Sequence, residues 1–171
     1  MFKLPVISLW NPYPFPVMFG ISDISIYWQT GQLDKVVPVD PKDTENRSWT
    51  PPHWLIGQRL GIHASKTFDR HYTLPEGIKL CEYVELGLRQ GTIFTGCILG
   101  TVRLDGYVRM VNGAPSVYPH NLEWPGSRWW EKDQVGWIFS DPKPFPAPIP
   151  INGKQRIWYA NVPDHYLKEE K

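Results

Sequence analysis

Only two cysteines, Cys81 and Cys97, occur in 171 residues. That is too few for a disulfide scaffold, and they lack the grouped spacing of a metal site. Both sit in apolar stretches and read as buried free thiols. His53, His71, His120 and His165 show no ligand spacing, so neither a metal nor any other cofactor is expected. No run approaches the roughly 20 apolar residues of a membrane span. Pro5, Trp10 and Pro12 interrupt the stretch where a signal sequence would need an apolar core. The expectation is a soluble, cytoplasmic protein with no membrane contact. An excess of one charge is missing as well: 18 basic residues stand against 17 acidic ones, a net charge of +1. That balance excludes capture of nucleic acid by bulk attraction, so any basic footprint has to be assembled locally by folding. There is no internal repeat and no break in composition, and the length suits one domain, 1–171, with a real core.

Proline and tryptophan are abundant, at 18 and 9 residues. The prolines imply many fixed turns and few long helices. The tryptophans bring large aromatic area, some of it available for recognition. Strands are expected at 6–10, 45–49, 60–65, 92–111, 134–140 and 155–162, bounded by Gly and Pro. Within 21–40, Ile24, Ile26 and Trp28 alternate before a Thr30-Gly31 turn, which predicts a hairpin. Pro12, Pro14 and Pro16 leave room for a short helix that starts near Pro16 and stops at Gly20. Thr73-Leu74-Pro75-Glu76 matches a capping box, and Ile78, Cys81, Val84 and Leu88 follow at helical spacing up to Gly91. Residues 112–134 read as a long loop and 165–171 as a frayed tail. Gly96 and Gly100 interrupt the strongest strand, as bends in a barrel wall do. The fold class is α+β, mainly β: a small barrel of about six strands with one or two flanking helices.

The densest chemistry lies in KDTENRSW, 42–49. On a strand Glu45, Arg47 and Trp49 share one face. Arg47 can hold Glu45 through paired hydrogen bonds. For that pair an ion pair fixing the barrel mouth is the leading reading. Lys42 has little structural use beside it and reads as a contact to phosphate or to an incoming base. Trp10, Trp49, Trp129, Trp130 and Trp137 are stacking candidates, though any one of them is more simply a packing residue. Arg128, Trp129, Trp130 and Lys132 form the best local patch of cation and indole. On strand 60–65 the polar face presents His63 and Ser65, with Lys66 beyond. A serine and a histidine two apart lack the third, orienting group of a triad, so His63 reads as a hydrogen-bonding residue.

The order SLWNP (8–12), KxxExRSW (42–49), LGIHASK (60–66), TGCILGTVRL (95–104) and VGWIFSDPKPFPAPIPINGKQRIW (135–158) resembles the ASCH domain, a branch of the PUA-like barrels. The resemblance implies a small β-barrel with flanking helices and a cleft. The family motif Gly-x-Lys-x-x-Glu-x-Arg is met by Lys42, Glu45 and Arg47, but Asp40 stands where its glycine would. Gly20 is the better match for that glycine, with 21–40 inserted. The prolines at 12, 14 and 16 depart from the helix that normally follows the first motif. The family is thought to bind RNA or related nucleotides, and a few members look like enzymes. One group hydrolyses N4-acetylcytidine with a lysine, a threonine and a glutamate; another is described as a ribonuclease. Glu45 stands where that hydrolase has its threonine, which counts against the same mechanism.

Three functions remain. The first is a module for RNA, single-stranded nucleic acid or nucleotide, with Trp10, Lys42, Glu45, Arg47, Trp49, His63, Ser65, Lys66, Arg128, Trp129 and Trp130 gathered around a single hollow. The second is a hydrolase of a modified nucleoside or RNA, an amidohydrolase or ribonuclease, with Lys42 and Glu45 as its catalytic groups. The third is a protein-interaction module docking through hairpin 21–40. The first is preferred.

Overall fold

Short alternating stretches, punctuated by Gly and Pro, become seven strands of one sheet among the described residues. The computed structural model describes residues 1–167. In chain order the elements are β1 (Phe2–Asn11), α1 (Pro14–Phe19), α2 (Ser25–Thr30), β2 (Thr44–Arg47), β3 (Arg59–Phe68), α3 (Glu82–Gln90), β4 (Cys97–Val111), β5 (Ala114–Tyr118), β6 (Val135–Pro150) and β7 (Ile157–Val162). Single 3-10 turns lie at Leu33–Lys35, His53–Leu55 and Asp164–Tyr166. The strand order is β2-β6-β4-β3-β1-β7, with β5 added on β4. β1 and β3 run parallel and the other pairs antiparallel. The fold is mainly β with few helices, as expected. The path ends at β2 and β7, which are not paired with each other among the described residues, so the sheet curves without hydrogen-bonded closure.

The curvature is built into β4. Its register against β6 shifts between Ile98 and Gly100, again before Arg103, and again before Gly106. At Gly100 a Cβ would lie 2.3 Å from the Lys143 carbonyl oxygen and 2.6 Å from Met18 Cε. Only glycine lets the two strands and α1 approach so closely. α1 is buried along its whole length and packs on β4 and β6. Phe15, Phe19 and Phe94 form an aromatic group with centroids 5.1–6.2 Å apart. The main core gathers Ile7, Leu9, Leu60, Ile62, Leu99, Leu104, Trp137 and Phe139 around it, and a smaller cluster joins Leu4, Val6, Phe145 and Trp158.

Several expectations change. Segment 21–40 is not a hairpin: Ser25–Thr30 is helical and a 3-10 turn follows. Alternation at 24, 26 and 28 is also i, i+2, i+4, and Gly31 closes the short helix in the left-handed conformation. The ends of the segment meet, with Gly20 bridging Val39 and the Ile21 N–H donating to the Val39 carbonyl at 2.8 Å. The helix expected from Thr73 begins only at Glu82, because Gly77 takes a positive φ of 80° and 75–78 closes as a turn; Gly91 caps the far end as expected. α1 starts at Pro14, since prolines within a first turn sacrifice no intrahelical hydrogen bond. Loop 112–134 contains β5, which pairs with β4 from Tyr107 to Val111. The strand expected at 134–140 runs on through the proline stretch to Pro150. Of the tail, Asp164–Tyr166 is ordered against Phe145, and 168–171 lie outside the described residues. Cys97 is buried and its thiol is pushed up to about 12 by burial, whereas Cys81 is exposed at the start of α3. Among the described residues no helix is long and apolar enough to cross a membrane.

Candidate functional site

β2 is only four residues long, yet it sets both halves of the site. Its pairing with β6 fixes Glu45 opposite Trp137 and Arg47 opposite Val135. Just before it, the Lys42 N–H donates to the Pro16 carbonyl at 2.8 Å, which turns the lysine inward. The Lys42 side chain is only 4% exposed, and its Nζ lies 2.5 Å from Glu45 Oε2. The amine also sits 4.5 Å from the Tyr13 ring centroid and 5.5 Å from that of Trp129. A carboxylate and two ring faces thus surround the ammonium, the arrangement that makes a desolvated cation tolerable.

Beside this group is a hollow of about 450 Å³. Its wall holds Glu45, Asp69 and Glu131 against Lys42 and Arg128, so its charge is nearly balanced and slightly acidic. Arg128 is further neutralised by an ion pair with Asp40. The Tyr13 hydroxyl donates to Asp69 Oδ2 at 3.3 Å. Burial, then the Asp69 carboxylate, pushes that phenol up to about 12. Asn46 is fully used: its amide donates to the Trp129 carbonyl at 2.8 Å and its oxygen accepts from the Glu131 N–H at 2.8 Å.

Two residues further along β2, Arg47 enters a second hollow of about 570 Å³. Its NH2 group donates to the Ser8 carbonyl at 2.9 Å, and its Nε stands 4.0 Å from Glu45 Oε1 without a hydrogen-bond partner among the described residues. Around it are Lys66 from β3 and Lys154 and Arg156 from the loop between β6 and β7; among the described residues no carboxylate lines the wall. Arg156 also lies 5.9 Å above the Trp49 ring. The floor is His63, 1% exposed. Its Nε2 is 2.8 Å from the Ile151 carbonyl oxygen, which can only accept, so Nε2 carries the hydrogen. Burial lowers the pKa of His63, keeping the ring neutral and leaving Nδ1 as a lone-pair acceptor with no partner among the described residues. Gly153 lies against this ring: a Cβ there would come within 2.5 Å of His63 Cε1 and 2.7 Å of Ser8 Oγ. At the rim the Trp10 indole is 58% exposed.

The expected single hollow is therefore two. Glu45 and Arg47 do share a strand face, but Lys42, Glu45, Arg128 and Trp129 line the first hollow, and Trp10, Arg47, His63, Ser65 and Lys66 the second. Trp49 and Trp130 line neither. Trp49 packs edge-on against Trp137 at 4.8 Å, and Trp130 donates its indole N–H to the Gln134 carbonyl at 3.1 Å. Segment 127–130 closes as a turn, with Trp129 buried and Trp130 half-buried. The Ser65 hydroxyl accepts from the Thr67 N–H at 3.2 Å, so it forms no pair with His63. The sequence reading missed Tyr13 and Asp69 in the first hollow. In the second it missed Lys154 and Arg156, whose alternation in the tight NGKQR connection was the available signal. Among the described residues no group of three or more His, Cys, Asp or Glu could hold a metal ion.

Fold and site together define a mainly β protein with two neighbouring hollows, one of nearly balanced charge and one cationic, joined through one short strand. No protein-family model matches the chain, and a search of curated proteins finds no match either. Among solved structures the chain is similar to the crystal structure of a mutant form of the ZmASCH protein from Zymomonas mobilis. Identity is 14%, the match covers 95% of this chain and 89% of that one, and the TM-score is 0.40.

Proposed function

We propose that the protein binds nucleic acid, as RNA or another single strand, or nucleotide, through the face that carries the two hollows. The observation that carries this reading is the second hollow, where four cations converge, no carboxylate of the described residues lines the wall, and an exposed indole stands at the rim. Phosphate supplies the charge such a hollow lacks, and a splayed base can stack on Trp10. The resemblance of the ordered sequence motifs to the ASCH domain points the same way. In this reading the first hollow takes a neutral hydrogen-bonding group, since Asp69 and Glu131 repel phosphate.

A hydrolase built on Lys42 and Glu45 is the weaker reading. The amine is already held by Glu45 and enclosed between Tyr13 and Trp129, which leaves it poorly placed to attack a carbonyl. The test of binding is titration of short RNA and single-stranded DNA with Trp fluorescence as the readout, repeated at several salt concentrations. Quenching and a falling log affinity against log salt are expected. No association below millimolar at low salt would end the proposal.

A further inference from the structure

The second hollow holds more positive charge than a passing strand requires. A protein that tracks a nucleic-acid backbone spreads its cations along a groove, about one per phosphate, because each internal phosphodiester carries a single charge. Here Arg47, Lys66, Lys154 and Arg156 meet in one hollow of about 570 Å³, within the usual size range of small-ligand sites. They come from three separate parts of the chain: β2, β3 and the loop between β6 and β7. None of Lys66, Lys154 and Arg156 has an ion pair to a carboxylate among the described residues.

Arg47 Nε and His63 Nδ1 are buried behind the wall, the latter against Gly153, so a ligand in the hollow meets the cationic heads and not these two atoms. A phosphate monoester suits that cluster of cations. It concentrates close to two negative charges on one phosphorus at neutral pH, with a second pKa near 6.

We infer that the second hollow recognises a terminal phosphate, the monoester of a nucleotide or of an oligonucleotide end, rather than an internal phosphodiester. This rests on the reading of the face as a nucleic-acid or nucleotide site and assigns its ligand class. Isothermal titration of the full chain would use one short RNA in three forms: 5′-phosphorylated, 3′-phosphorylated and unphosphorylated. A nucleoside and its 5′-monophosphate form a second arm.

At least one terminal phosphate is expected to tighten binding about tenfold, the size of one added charge-assisted hydrogen bond. That gain should vanish in the Lys154→Gln/Arg156→Gln double variant, whose fold is checked by circular dichroism. A gain in the mononucleotide arm assigns the site to free nucleotide; a gain only among oligomers assigns it to a chain end. Equal binding of all three RNA forms, with no gain in the mononucleotide arm, overturns the inference and leaves nucleic-acid binding standing. No binding in either arm overturns both.

Discussion

The two hollows sit at either end of one salt-linked run, yet they solve opposite problems. In the first, a lysine is buried and the surroundings are arranged to satisfy it: Glu45 at 2.5 Å, with the Tyr13 and Trp129 rings close by. In the second, cations gather where no described residue of opposite sign lines the wall. A satisfied charge holds a fold together, whereas an unsatisfied one waits for a partner. In the function proposed above, Lys42–Glu45 is architecture and Lys66, Lys154 and Arg156 are recognition, with Arg47, held by Glu45 and the Ser8 carbonyl, between the two. The motif that joins them, Lys-x-x-Glu-x-Arg, serves both purposes within six residues because strand alternation sends Glu45 and Arg47 down the same face.

The sharpest way to break this contrast is Glu45→Gln. It leaves the Lys42 ammonium buried without its counter-charge, so a loss of about 3–5 kcal/mol is expected in urea unfolding. If stability holds and only ligand affinity falls, the first hollow is a recognition site after all. Next in size is a pair of tryptophans. Trp129→Ala should cost about 3–5 kcal/mol of stability, since the ring is buried beside Lys42. Trp10→Ala should leave the free energy of urea unfolding within about 0.5 kcal/mol of wild type and weaken binding by about 1–3 kcal/mol. Equal effects of both on stability would erase the distinction.

A smaller effect is expected for Lys66→Gln: unchanged stability, weaker binding, and a salt slope shallower by about 0.7 if one phosphate contact is lost from a single strand. The smallest concerns His63. Its pKa is lower in the folded chain than in the unfolded one, so the unfolded state takes up the proton first as pH falls. Its contribution is fully present above the unfolded value of about 6.5 and is lost as pH drops toward the folded value. Between about pH 7.5 and 5.5 the wild type should lose more stability than His63→Gln, whose amide can still donate to Ile151.

Much of the fold was legible because sheet strands here alternate cleanly and are fenced by Gly and Pro. The failures have local causes. Six helical residues at 25–30 are too few for a period of 3.6 to separate from a period of 2. Thr73-Leu74-Pro75-Glu76 has the right residues for a cap, but Gly77 turns the chain the other way. The strand expected at 134–140 stopped short of the proline stretch. Yet Pro142, Pro144, Pro146, Pro148 and Pro150 fall at every second position, so all the missing N–H groups point to one edge, and β2 pairs with β6 only up to Ile138. Of the site, the residues on β2 and β3 were readable as strand faces. Tyr13 and Asp69 were not, because their proximity is created by the parallel pairing of β1 with β3, which leaves no periodic trace; Lys154 and Arg156 alternate in the chain, but only the short return from β6 to β7 brings them to the same hollow as Arg47.

Segment 20–40 leaves the end of α1 and returns to almost the same point, through the Gly20–Val39 bridge. A detour with a closed neck tolerates growth at its tip, and the exposed Gly31-Gln32 bend is where added residues, or a whole fused domain, would be accommodated. Yet Ile24, Leu33 and Val36 from the same detour are sealed into the main core, at 0%, 0% and 2% exposure. The segment is open to extension but not to excision: pruning it back to its neck would uncover the interior it helps to fill.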